Sequence, residues 1–63
     1  MRYYINGQET TPAAVKAFCY ESAQDAGMEV ESWLWAWQQR NRSEEAREFI
    51  NEISGYVVEM YLA

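Results

Sequence analysis

The hydrophobic pattern of the first ten residues predicts a short β-hairpin. Arg2–Ile5 is rich in β-branched and aromatic side chains, and Gln8–Thr10 is extended and polar. Between them, Asn6-Gly7 supplies two residues that tolerate positive φ, which favours a two-residue hairpin turn. A two-stranded hairpin is marginal in water, so residues 2–10 must pack on the rest of the chain or pair with another chain through a free edge.

The next segment carries start and stop signals for a helix over residues 12–26. Thr11 can cap a free backbone N–H, and Pro12 costs nothing at the first helical position. Apolar and small side chains then recur at helical spacing as far as Ala26, and Gly27 suits the left-handed position just past a helix end.

A second amphipathic helix is predicted over residues 29–40. Its apolar side chains at helical spacing are Val30, Trp33, Leu34 and Trp37. Trp35 lies about 200° around the helix from Trp33, so it points outward if Trp33 and Trp37 face the core. An outward Trp is typical of an interface anchor. The alternative is that the third helix or a second subunit covers Trp35.

The remaining segment predicts a third helix over residues 44–62, which Asn41 or Ser43 would cap. Its apolar residues alternate spacings of four and three, as in a helical seam. The seam consists of Ala46, Ile50, Ile53, Val57 and Met60. We interpret it as core or as a dimer contact, and we expect Gly55 to permit close approach of another helix.

Four glutamates fall roughly opposite this seam and predict an acidic stripe. They are Glu44, Glu48, Glu52 and Glu59. Spaced carboxylates can imitate nucleic acid phosphates and occupy the basic groove of a nucleic-acid-binding protein. A solvated helix face gives the same pattern with no partner. The predicted partner-binding residues are therefore these four glutamates together with Trp35.

Charge and composition favour a folded protein with a basic partner. Ten acidic residues against five basic ones give a net charge of -5. This charge repels phosphate and attracts basic protein surfaces. The alternative is that the acidic residues serve only solubility. The content of 49% hydrophobic residues argues against disorder. The single Cys19 cannot form an intramolecular disulfide, so we expect a cytoplasmic protein. No leader or long apolar run is visible, so we expect neither secretion nor insertion into a membrane.

The chain lacks the residues that common catalytic and metal sites require. It has no His and one Cys, so it offers neither a zinc ligand set nor the usual base for a nucleophile. Cys19 falls mid-helix on an apolar face, where a thiol usually behaves as a small hydrophobe. We therefore expect no enzyme activity, no cofactor and no metal.

Part of the pattern resembles the ribbon-helix-helix family of DNA-binding proteins. The resemblance covers roughly residues 2–40 and rests on the opening strand, the Thr11-Pro12 helix start, the Gly27-Met28 turn and Trp33-Leu34. It implies a small DNA-binding regulator. That family reads DNA with alternating polar or basic side chains on one uninterrupted strand, whereas Asn6-Gly7 interrupts this strand and the chain is acidic. Direct nucleic acid binding is therefore only the alternative hypothesis.

The chain also resembles small phage or mobile-element accessory proteins, among them anti-CRISPR inhibitors. The shared features are its size, its acidity, the Tyr-Ile-Asn-Gly opening and the absence of catalytic residues. This resemblance implies stoichiometric binding to a host nucleic-acid-processing complex in the host cytoplasm.

Together these observations predict a single α+β domain over residues 1–63, with an N-terminal β-hairpin followed by a three-helix bundle. So many large apolar side chains on a short chain also favour a homodimer. The leading hypothesis is a protein-binding inhibitor or adaptor. The alternatives are the DNA-binding regulator and a structural subunit of a larger assembly.

Overall fold

A computed structural model describes residues 1–63 and contains three helices and one three-stranded antiparallel sheet. In chain order the elements are β1 (Arg2–Ile5), β2 (Gln8–Thr10), α1 (Pro12–Asp25), α2 (Val30–Gln39), α3 (Glu44–Ile53) and β3 (Val58–Tyr61). The predicted α+β class with an N-terminal hairpin is confirmed, and 54% of the residues are helical.

The sheet has the order β2-β1-β3, so the N-terminal strand lies in the centre. The predicted hairpin turn is present, with positive φ at both Asn6 and Gly7, as a two-residue turn of this twist requires. On its other side β1 pairs with β3, with Tyr3 opposite Met60. The hairpin therefore gains the third strand that stabilises a small sheet.

Hydroxyl side chains fix the starts of α1 and α3. The Thr11 Oγ1 accepts a hydrogen bond from the Ala14 N–H at 3.2 Å, and the Ser43 Oγ accepts one from the Ala46 N–H at 3.1 Å. Each bond satisfies one of the free N–H groups in the first turn. Of the two caps proposed for the third helix, Ser43 is the one used.

The helix predicted over residues 44–62 is wrong beyond Ile53, because the chain turns there and continues as a strand. Gly55 and Tyr56 both have positive φ, at 75° and 67°. The Tyr56 N–H donates to the Asn51 carbonyl at 2.8 Å and the Gly55 N–H donates to the Glu52 carbonyl at 3.0 Å. These two bonds form a Schellman cap, which ends a helix. Gly55 is thus a helix stop, and no heavy atom lies within 4 Å of where its Cβ would be, so the expected close helix contact is absent.

The predicted helical seam is consequently divided between a helix and a strand. Ile50 is fully buried on α3, whereas Met60 is buried on β3. Ile53 and Val57 are only half-buried, at and beyond the helix end. Buried and exposed side chains alternate along β3, as in a strand with one buried face, and do not follow a heptad.

The core lies between the helices and one face of the sheet. It comprises Tyr3, Val15, Cys19, Ala23, Trp33, Ala36, Trp37, Ala46, Ile50, Val58 and Met60. Every helix and two of the three strands contribute to it. On the opposite face of the sheet the side chains are more polar, and the Tyr4 and Tyr61 rings meet edge to face at 5.8 Å.

Candidate protein-binding groove

An open groove separates α3 from the adjacent strand β3. Its lining residues are Glu44, Arg47, Glu48, Asn51, Val58, Glu59, Met60, Tyr61 and Leu62. We call it the acidic groove. The helix contributes one wall because residues spaced by three and four share a face, and the turn after Ile53 brings β3 back alongside that face.

Carboxylates dominate the charge of the acidic groove. Glu44, Glu48 and Glu59 are all exposed and oppose one arginine, Arg47, so the lining carries a net charge of -2 (one base minus three acids). The Arg47 guanidinium is engaged outside this cluster, because its Nη1 donates to the Arg40 carbonyl at 2.7 Å. The three carboxylates are therefore available to basic side chains of another protein.

Tyr61 is coupled to the carboxylate of Glu59 at the outer edge of the groove. Its hydroxyl donates to the Glu59 Oε2 at 2.6 Å. This hydrogen bond and the negative charge raise the pKa of Tyr61 above its ordinary value. The contact joins two exposed side chains of β3 at the edge of the groove.

The structure brings three of the four predicted glutamates together. Glu44 and Glu48 line the groove from α3, as predicted, whereas Glu59 reaches it from β3 and not from the third helix. Glu52 is exposed on α3 but does not line the groove. Asn51 and Tyr61 also line it, and sequence reasoning missed both. The β-branched and aromatic run Tyr56–Tyr61 was the available signal for this strand.

Trp35 lies outside the acidic groove. It is 42% exposed, so it points outward as the helical phase predicts. Its ring packs against the Phe49 ring of α3 at 5.4 Å, and its Nε1 donates to the Ser32 carbonyl at 2.8 Å. The third helix therefore covers part of Trp35, and its indole donor is already satisfied within its own helix.

The side chains of Arg40, at the end of α2, and Arg47, in α3, have structural partners. Arg40 donates to the Trp37 carbonyl at 2.7 Å and to the Tyr3 hydroxyl at 2.8 Å. Arg47 donates to the carbonyl of Arg40 itself. A cation at a helix C-terminus satisfies free carbonyls and complements the helix dipole. These side chains are thus engaged in joining α2 to the sheet and to α3.

A second depression, between α1 and α2, is mostly apolar. Its lining residues are Ala13, Lys16, Ala17, Tyr20, Glu21, Val30, Trp33 and Leu34. Lys16 and Glu21 carry opposite charges, so this surface has no net charge with which to select a partner. The acidic groove is therefore the more distinctive surface.

Cys19 is buried in the core, and burial raises the pKa of its thiol to about 11. Because the thiolate is the reactive form, we expect Cys19 of the folded protein to react with a thiol reagent at about pH 8 at least about a hundredfold more slowly than in the urea-unfolded chain. Absorbance at the reagent's leaving group measures both rates. Equal rates would contradict the buried, protonated thiol.

Comparisons with known proteins identify no relative of this chain. No family model matches it, and neither a curated protein nor a solved structure is significantly similar. None of its helices has the length and apolar character needed to cross a bilayer. Nowhere do three His, Cys, Asp or Glu side chains gather closely enough to hold a metal ion.

Proposed function

We propose that this protein is a protein-binding inhibitor or adaptor that engages a basic surface of its partner through the acidic groove. The observation that supports this proposal is the convergence of Glu44, Glu48 and Glu59 from a helix and a strand on one open groove. Because the third carboxylate comes from a strand, helical spacing alone does not account for this cluster. Because an acidic surface attracts a basic one, we expect the partner surface to be basic.

The magnitude of such contacts is consistent with a recognition role. Each exposed ion pair contributes about 0.2–1 kcal/mol, so three pairs alone give weak binding. Their larger effect is to steer a basic partner towards the groove and to reject acidic ones. Proteins that bind nucleic acids carry basic surfaces of this kind. A nucleic-acid-processing complex, such as a CRISPR effector, is the partner class we propose, in the cytoplasm of a host cell.

The sheet surface favours this proposal over direct DNA binding. On the outer face of the sheet, Tyr4 of β1 lies directly between Glu9 on β2 and Glu59 on β3. Two exposed carboxylates beside the central strand repel phosphates, which are the main source of protein–DNA affinity.

The homodimer remains a prediction, to be checked by sedimentation equilibrium.

Charge reversal tests the proposal. We expect Glu48→Lys combined with Glu59→Lys to abolish capture of the partner from nuclease-treated lysate of the producing cell, because two attractive contacts become repulsive. The matched control, Asp25→Lys with Glu29→Lys, changes the net charge equally at exposed positions outside the groove and should capture the same protein. Mass spectrometry identifies what each variant binds.

Two further arms make the outcome decisive. Trp35→Ala should leave capture unchanged, because Trp35 lies outside the groove. Circular dichroism confirms that each variant is folded. If the groove variant and the control capture the same protein equally, the acidic groove is not the interface. Loss only in Trp35→Ala would make the indole the anchor instead.

A further inference from the structure

The strand β3 has one edge that no other strand covers. In the sheet order β2-β1-β3 it is terminal, and α3 lies beside it across the acidic groove. An uncovered strand edge presents backbone N–H and C=O groups to any extended chain that can reach it. The second terminal strand, β2, has only three residues and lines neither groove.

The pairing register shows which backbone groups face outward. The Asn6 N–H donates to the Val57 carbonyl at 2.9 Å, which fixes the hydrogen-bonded positions of the β1–β3 ladder. Because such positions alternate in an antiparallel pair, Glu59 and Tyr61 bond to β1. The backbone groups of Val58 and Met60 therefore point away from β1, towards the groove. If the strand is continued by one residue, the groups of Leu62 fall on the same edge.

Two side chains close the first part of this edge. The Val58 N–H donates to the Ser54 Oγ at 3.2 Å, and the Asn51 Nδ2 donates to the Val58 carbonyl at 2.7 Å. Both outward groups of Val58 are thus satisfied within the chain. Beyond it, the groups of Met60 and the N–H of Leu62 have no such partner, so the open edge begins at Met60.

We propose that an extended basic segment of the partner docks in the acidic groove as a fourth strand, paired with β3 at Met60 and Leu62. This inference rests on the proposed function and specifies the conformation of what the groove binds. Side chains alternate between the two faces of a strand. On one face a docked segment would meet Glu44 and Glu48 of α3, and on the other it would meet Glu59.

Charge selects this occupant over a second copy of the chain. Two copies joined edge to edge would bring their own Glu48 and Glu59 carboxylates into the same groove, and like charges at close range oppose pairing. Lysine or arginine side chains on a foreign strand would instead be attracted from both sides. Backbone hydrogen bonds supply affinity in this mode of recognition, and the flanking side chains supply specificity.

The test uses a short fluorescein-labelled peptide of alternating lysine and threonine. Fluorescence anisotropy measures its Kd, and amide hydrogen exchange by NMR reports on Met60 and Leu62. We expect the peptide to slow exchange at both amides. Leu62→Pro, which removes one outward N–H near the strand end, should weaken binding about two- to tenfold, the effect of one net hydrogen bond. The matched control Ala63→Pro should bind normally.

A peptide of the same sequence with methylated backbone nitrogens keeps the charge and lacks the N–H donors, so it should bind much more weakly. If both peptides bind equally and exchange at Met60 is unchanged, strand pairing is overturned while binding to the acidic groove stands. If neither binds, strand pairing also fails, and the capture experiment with Glu48 and Glu59 still decides the proposed function. Self-association that Leu62→Pro abolishes would place a second copy on the edge and overturn the proposal.

Discussion

Trp33→Ala is expected to remove a large part of the free energy of unfolding of this protein. Trp33 is a core residue that is only 1% exposed, and its ring meets that of the exposed Tyr20 at 6.4 Å. Truncating a buried Trp to Ala costs about 3–5 kcal/mol. At roughly 0.05–0.15 kcal/mol per residue, a domain of 63 residues has only about 3–9 kcal/mol in all. Far-ultraviolet circular dichroism with urea titration measures the loss.

Trp33→Phe provides the matched control for this prediction. The Nε1 of Trp33 is buried without a hydrogen-bond partner, a state that disfavours the folded protein. Phenylalanine removes that donor and keeps much of the ring, so its destabilisation should be clearly smaller than that of alanine. Both substitutions remove the Nε1 donor, so the difference between them measures the contribution of the buried ring. If alanine and phenylalanine destabilise the protein equally, the ring volume does not stabilise the fold. A Trp33→Ala protein as stable as the parent would show that Trp33 is not a core residue.

The ends of two helices show why one part of the fold was predictable and another was not. Gly27 and Gly55 close α1 and α3 with the same Schellman hydrogen bonds and similar positive φ. The sequence predicts the first helix end, because the helical spacing of apolar residues stops before Gly27. It does not predict the second, because Val57 and Met60 continue the apolar spacing of α3. A glycine in a left-handed cap is a local signal, whereas accidental periodicity beyond it is not evidence of a helix.

The C-terminal strand also depends on a contact that periodicity does not report. The run Tyr56–Tyr61 has the β-branched and aromatic composition of a strand. Its pairing with β1 joins residues more than fifty positions apart, as with Arg2 and Tyr61. Such pairing is a tertiary property, because strand composition matters through its neighbours more than through the backbone.

The acidic groove likewise combines positions that local helical spacing predicts with positions that only the strand order determines. Glu44 and Glu48 share a face because of their spacing on one helix, so their proximity could be predicted. Trp35 points outward for the same reason. The position of Glu59 and the open backbone of Met60 follow from the strand order, which no local pattern contains.

We expect Trp37→Ala to lower the free energy of unfolding by about 3–5 kcal/mol, comparable to Trp33→Ala. The substitution removes a buried ring and also the aromatic face on which the Arg40 guanidinium packs. Trp37 is 7% exposed and meets the Tyr3 ring at 6.2 Å. The Arg40 guanidinium carbon lies 3.9 Å from the centre of the Trp37 ring, while its Nε donates to the Tyr3 hydroxyl. Arg40 therefore joins the end of α2 to the central strand through both aromatic rings. Urea unfolding measures the loss.

A double-mutant cycle separates the ring volume from the cation–π contact. Trp37→Leu retains apolar bulk and removes the aromatic face, and Arg40→Met retains the apolar stem and removes the charge. A partly buried cation–π pair should give a coupling free energy of about 1–2 kcal/mol between these two substitutions. Additive effects would mean that Arg40 stabilises the fold only through its hydrogen bonds to Tyr3 and the Trp37 carbonyl. A coupling that persists in high salt favours the close contact, because screening weakens exposed charges far more than partly buried ones.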